Sequence, residues 1–166
     1  MLLVGAALPI RADGDVPAAL LVKIVFAAVA YDRSADKRFG DALEVAVIGS
    51  ARGGLEEALG GFSDKKVKTR EIRLVASAID TLTKDKVDVV FFADKLGSLA
   101  RNVASACKTA QITCVATDEA DVKAGLPVGV ELVAGKPRLL INLEAAKDCG
   151  ADFPAQILKM SRDPSR

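Results

Sequence analysis

Apolar positions in this chain come in two kinds of run, and the two alternate. Leu43–Ile48 (LEVAVI), Glu71–Ala76, Val87–Ala93 (VDVVFFA) and Thr113–Thr117 are short and rich in β-branched residues, as strands are. Helical spacing follows each strand. Gly54–Gly60 stops at Gly60-Gly61. Ala78–Lys84 has Ser77 as N-cap and Asp80 at the third helical position. Leu96–Ala110 is the longest central helix, and a short turn capped by Thr117 or Asp118 runs to Lys123. Strands that are apolar throughout need cover on both faces, and alternation with helices implies parallel pairing. The predicted fold is α/β, a doubly wound, mainly parallel sheet sandwich of Rossmann or flavodoxin-like type.

Two further stretches frame this core. Asp15-Val16-Pro17 opens a helix in which Ala18, Leu21, Val22, Val25, Phe26, Val29 and Ala30 recur at helical spacing. Lys23 is its only charge before Asp32, so the helix is apolar nearly all round. It is either buried or an interface, and Leu21, Val25, Phe26 and Val29 are its candidate packing or dimer residues. Ser34–Asp41 reads as a charged linker. At the other end, Val128–Val133 and Arg138–Leu143 are β-type runs around Ala134-Gly135-Lys136-Pro137, read as a turn. A short amphipathic helix, Pro154 to Met160, follows this hairpin. Phe153 beside it, with Ile157, Leu158 and Met160 on it, forms a candidate partner-binding surface, unless both helices simply cover the sheet.

Composition narrows the function classes. A chain of 166 residues fits one domain, expected over residues 13–162 with a tail at 163–166. Lys plus Arg number 23 against 22 acids, too balanced for an electrostatic grip on nucleic acid. There is no histidine, which excludes Ser-His-Asp and Cys-His catalysis and His-ligated metals. Leu2–Leu8 is too short to span a bilayer. With Ile10-Arg11-Ala12 it reads as the back half of a secretory signal lacking its basic region, over residues 1–12; a buried N-terminal strand is the alternative. Cys107 and Cys114 bracket a helix end and the next strand, either as a disulfide or as two buried thiols. Cys149 is left over, and without a CxxC pair no structural zinc is expected.

Candidate chemistry is sparse. Gly49-Ser50-Ala51-Arg52-Gly53-Gly54 follows a strand and opens a helix, where α/β folds cradle phosphates. It matches neither GxGxxG nor the P-loop, and a tight turn is the simpler reading. If an anion binds, Ser50, Arg52 and Gly53 are the first candidates. Asp94 ends a strand where receiver domains place a phosphoacceptor, but Ile48-Gly49-Ser50 supplies no metal-binding acids, and Asp94 is read as a helix N-cap. Lys65–Arg70 is a basic run read as a solvated loop guarding a sheet edge. No nucleophile has a base beside it, so the chain is read as a non-enzyme without cofactors or metal.

The order of several motifs resembles the YfiR-like family of small exported bacterial proteins. Ala18–Phe26 looks like its opening helix, with aliphatic residues for the usual aromatics. Leu43–Gly49 looks like its first strand and glycine turn, and Val87–Ala93 like its central strand. The closest match is Gly129-Val130-Glu131-Leu132, then Arg138–Ala146 with its Ile-Asn-hydrophobic-x-x-Ala run, then Gln156–Arg162. The resemblance implies a periplasmic regulator that forms dimers and restrains a membrane-anchored diguanylate cyclase, release raising cyclic-di-GMP and biofilm formation. Related domains occur fused to histidine kinases and cyclases. The expected partner is therefore the periplasmic domain of an inner-membrane diguanylate cyclase or sensor kinase. Three cysteines depart from the two disulfides that the resemblance implies. The alternative function is a small-molecule or anion sensor using the Gly49–Gly54 loop.

Overall fold

The computed structural model describes residues 15–166, and the leader expected over residues 1–12 lies outside them. In chain order the elements are α1 (Ala18–Tyr31), α2 (Ala35–Arg38), β1 (Ala42–Ile48), α3 (Gly53–Gly60), β2 (Lys66–Val67), β3 (Arg70–Leu74) and β4 (Val89–Phe92). A 3-10 turn, Gly97–Leu99, leads into α4 (Ala100–Ala110). Then come β5 (Thr113–Ala116), α5 (Glu119–Lys123), β6 (Val128–Val133), β7 (Lys136–Ile141), α6 (Leu143–Asp148), α7 (Ala155–Met160) and β8 (Ser161–Arg162).

The strands form one sheet in the order β2-β3-β1-β4-β5-β6-β7-β8. Pairing from β3 through β6 is parallel, while β2–β3 and β6–β7 are antiparallel. Counted along the chain, the five parallel strands lie in the order 2-1-3-4-5, the flavodoxin-like arrangement. The expected fold class is borne out.

Period-two alternation explains the layers. Val45, Val47, Val89, Phe91 and Val115 point to one face, and Ala46, Ile48, Val90, Phe92 and Cys114 to the other. On the first face lies α1, whose Phe26 meets Phe91 and Phe62 edge to face, with ring centroids 5.9 and 5.7 Å apart. On the second lie α4 and α5, with Val103, Cys107 and Val122 against the strands. Leu21, Val25, Phe26 and Val29 are all buried in the first core. Their role is packing, and they form no outward dimer face. The exposed residues of α1 are Ala19, Lys23, Ala27 and Tyr31.

Local chemistry corrects several sequence expectations. Ala78–Lys84 is a chain of turns, not a helix. Ser77 Oγ and Thr81 Oγ1 both donate to Asp85 Oδ2, at 2.8 and 2.6 Å, and the Ala78 amide donates to Thr81 Oγ1. These side-chain bonds compete with a helical ladder, and fully buried Leu82 pins the loop to the core. In the hairpin the turn is only Ala134-Gly135, at φ 50° and 73°, the left-handed pair a type I′ turn needs. Lys136 and Pro137 belong to β7. Pro137 faces Leu132 in the non-hydrogen-bonded position next to the closing Val133–Lys136 pair, so its missing N–H costs no ladder bond. The charged linker contains α2 and two core residues, Ala35 and Phe39. The basic run is not all loop, since Lys66–Val67 pairs with Arg70–Glu71 as an edge hairpin.

The stretch after the hairpin shows why its sequence is specific. Asn142 is buried; its Oδ1 accepts from the Ala145 amide at 3.1 Å to cap α6, while its Nδ2 donates to the Val122 carbonyl at 3.0 Å. One side chain thus starts α6 and ties it to α5. Downstream, β8 adds parallel to β7, and the Arg162 guanidinium forks onto Glu131 at 3.0 and 2.9 Å.

Two stabilising cross-links are specific enough to test. Cys107 in α4 and Cys114 in β5 form a disulfide with Cα atoms 6.2 Å apart and both residues fully buried. Closing so short a loop stabilises by about 2 kcal/mol. The Cys107→Ala/Cys114→Ala double variant should lose about that much in urea unfolding, and reductant should lower the wild type while leaving the variant unmoved. The second cross-link is Asp32, whose Oδ2 accepts from Arg38 at 2.7 Å with both side chains at least nine-tenths buried. Asp32→Ala strands that guanidinium and should cost about 3–5 kcal/mol; a loss below 1 kcal/mol would remove the pair from any structural role.

Candidate functional site

The parallel strands end where β1 and β4 part company, with α3 leaving one side of the sheet and α4 the other. Open α/β sheets bind ligands at this topological switch point. Here the backbone turns at Gly49, φ 135°, where a Cβ would lie 2.9 Å from Asp94 Oδ2 and 3.1 Å from the Ala93 Cβ. Only glycine permits both the conformation and the approach.

That approach lets Asp94 reach across from the end of β4 to the loop after β1. Its Oδ2 accepts from the Ser50 amide at 2.6 Å and the Ser50 hydroxyl at 2.9 Å, and its Oδ1 from the Ala51 amide at 3.3 Å. These donors, the Ser50 amide foremost, hold the Asp94 carboxyl below the usual carboxylate range. The loop therefore already cradles an anion, supplied by the chain itself. Of the candidate anion residues, Ser50 is engaged with Asp94, Arg52 is exposed and lies 3.5 Å from Glu56, and Gly53 begins α3. They converge on no vacant phosphate cradle.

Asp94 does not cap its own helix, as the sequence suggested. That task falls to Asp121, a buried carboxylate on α5 that accepts from the Leu96 and Gly97 amides at 2.8 and 3.1 Å. No local signal marks it, because donor and acceptor are about two dozen residues apart. Asp118 caps α5 through the Ala120 amide at 2.7 Å, and pairs with Lys95 at 3.0 Å. Burial pushes the Asp118 carboxyl up, but Lys95 and the amide outweigh it and the net shift is downward. The same bond raises the Lys95 ammonium.

Between these groups and the start of α1 lies a cavity of about 360 Å³. Its walls are apolar, from Leu21, Leu55 and Val130, and small residues, Ala18, Ala51 and Ala93, leave the space open. Asp15, Asp94, Lys95 and Thr117 bring polar atoms to its edge. Among the described residues no group of three or more Cys, Asp or Glu side chains is placed to hold a metal ion. The arrangement offers a polar-edged binding pocket.

The candidate partner surface divides. Phe153, just before α7, and Ile157 on it, 5% and 3% exposed, both belong to the core. Leu158 is half-buried beside a groove of about 230 Å³ next to α6 and α7, and Met160 stands 63% exposed. Cys149 is buried, and burial pushes its thiol up to about 11, which keeps it protonated and unreactive at neutral pH.

Comparison with known proteins supplies the wider frame. No curated protein matches the chain. Among solved structures, the chain resembles an ABC domain in complex with L-Trp from Streptococcus pneumonia, at 15% identity and a TM-score of 0.58. It also resembles a conserved domain protein from Vibrio cholerae, at 14% identity and a TM-score of 0.57. Each match covers 89% of this chain and 60% of the other, so the chain spans under two thirds of both. At that identity the likeness is one of fold. The family described as DUF4154, YfiR/HmsC-like, matches residues 18–162, from the first residue of α1 to the last of β8. The chain belongs to the YfiR/HmsC-like family.

Proposed function

We propose that this protein is a non-catalytic periplasmic regulator. It acts by binding the periplasmic part of an inner-membrane signalling protein, a diguanylate cyclase or sensor kinase, and thereby alters cyclic-di-GMP signalling. The observation that carries this reading is the family match over nearly the whole described chain. The family implies regulation of cyclic-di-GMP signalling from the periplasm, and no helix among the described residues is long and apolar enough to cross a membrane. The leader read over residues 1–12 would deliver the chain to that compartment. A homodimer remains part of the reading, built on surface other than the buried residues of α1.

Contact with the partner is assigned to the exposed end of α7. Met160 is a large apolar side chain held in water by a helix whose other face is fixed in the core through Ile157, and Leu158 adds a partly buried neighbour. A second reading, small-molecule sensing, is favoured by the switch-point cavity, with the pocket beside the Gly49–Gly54 loop taking over from the loop itself. The two readings are compatible, because ligand at one end of the sheet and partner at α7 need not compete.

The contact reading has a direct test. Met160→Asp should change folding stability by no more than about 0.5 kcal/mol. It should also abolish co-purification of a cyclase or kinase from detergent-solubilised inner membranes of the native cells. Ile157→Ala should instead cost about 2–4 kcal/mol through a core cavity. Wild-type protein that recovers no signalling enzyme, or a Met160→Asp variant that recovers it equally well, contradicts the assignment.

A further inference from the structure

The cavity at the switch point has a charge pattern that selects among ligands. Asp15 and Asp94 reach its edge, and among the described lining residues the one cation, Lys95, is paired 3.0 Å away with Asp118. Among the described residues, Asp15 and Asp94 at the edge and Asp118 behind Lys95 set three carboxylates against one ammonium, a net charge of −2 for these four groups. The backbone amides that usually attract anions at such a site, those of Ser50 and Ala51, are turned onto Asp94. A phosphate or carboxylate entering here would meet a fixed negative group where other folds of this type present donors.

The walls argue for an apolar body on the ligand. Leu21 is 2% exposed and Leu55 5%, so these side chains are held rigidly by the core behind them. Gly54 leaves an added Cβ only 3.9 Å from Ala18, which shows how closely the first turns of α1 and α3 approach at the cavity's side. Asp94 is also fixed, by three hydrogen bonds to the loop opposite. Fixed walls and a fixed charge need little ordering on binding.

We propose that this cavity binds a small organic cation, a primary amine or guanidine carried on a compact apolar body. The cationic end lies toward Asp94 and Asp15, and the body lies against Leu21, Leu55 and Val130. The inference rests on the sensing reading above and adds the chemical class of the ligand. An amino acid is disfavoured relative to the corresponding amine, because its carboxylate meets the same negative opening.

Three probes sharing one aromatic body separate the possibilities: phenethylamine, phenylalanine and phenylacetate. Binding is read on the full chain by calorimetry, with amide shifts at Ala93 and Thr117 locating the site. Phenethylamine should bind at least roughly tenfold more tightly than phenylacetate, with phenylalanine between them, and added salt should narrow the gap. Asp15→Lys, an exposed change, should weaken phenethylamine by roughly fivefold or more. Ala51→Phe, which fills the opening from an exposed position, should abolish binding of all three. Phenylacetate binding as tightly as phenethylamine overturns the class while leaving the sensing reading in place. If no probe shifts Ala93 or Thr117, the inference and the sensing reading fail together, and the contact reading is untouched.

Discussion

The fold depends on one buried carboxylate. Asp32 lies just beyond α1, 1% exposed, and four donors converge on it. Its Oδ1 accepts from the Ser34 amide at 2.9 Å, the Ser34 hydroxyl at 2.6 Å and the Asp152 amide at 2.9 Å, while Oδ2 takes Arg38. Arg38 continues the chain of contacts to the Gln111 carbonyl and Thr113 Oγ1 at the start of β5. The end of α1, the first turn of α2, the segment before α7 and the central sheet are therefore joined through one ion pair. A buried pair of this kind adds little net stability over an apolar substitute but is costly to break. Its value here is positional, since it fixes where α1 crosses the sheet.

That placement determines what the other end of the molecule can do. With its C-terminus held at Asp32, α1 lies along one face of the sheet and brings Ala18 and Leu21 to the switch point. At that end Asp94, Asp118 and Asp121 each reach across to a neighbouring element. The two ends differ in kind. One is closed by the hydrogen bonds that converge on Asp32, and the other leaves a cavity edged by acids. The outer edge carries α7, whose buried Ile157 and exposed Met160 divide a single helix between core and surface.

How much of this was legible in the sequence follows from the range of the interactions. β1, β4, β5 and α4 are set by their own periodicity, which locates them to within a few residues. β2 and β8, two residues each, exist only through their partners and leave no local trace. The helix expected after Ser77 failed because Thr81 and Asp85 prefer side-chain bonds, a competition invisible to N-cap rules alone. The Gly49–Gly54 turn was recognisable, but not that Asp94 fills it from more than 40 residues away. Asp32 and Asp152 are 120 positions apart, so the central polar hub had no sequence signature at all. The apolar helices were legible as apolar; which side chains met the core and which met water required the sheet.

Regulation by contact is the central claim, and it concerns a cell's cyclic-di-GMP more directly than any property of the isolated chain. The measurement is the cyclic-di-GMP content of the native bacterium with the gene deleted, and with the deletion complemented by wild type or by Met160→Asp. A restraining regulator predicts that deletion raises the nucleotide, that wild type restores the original level, and that a stably accumulated Met160→Asp protein does not. Unchanged cyclic-di-GMP on deletion, or full restoration by the Met160→Asp protein, would contradict the account.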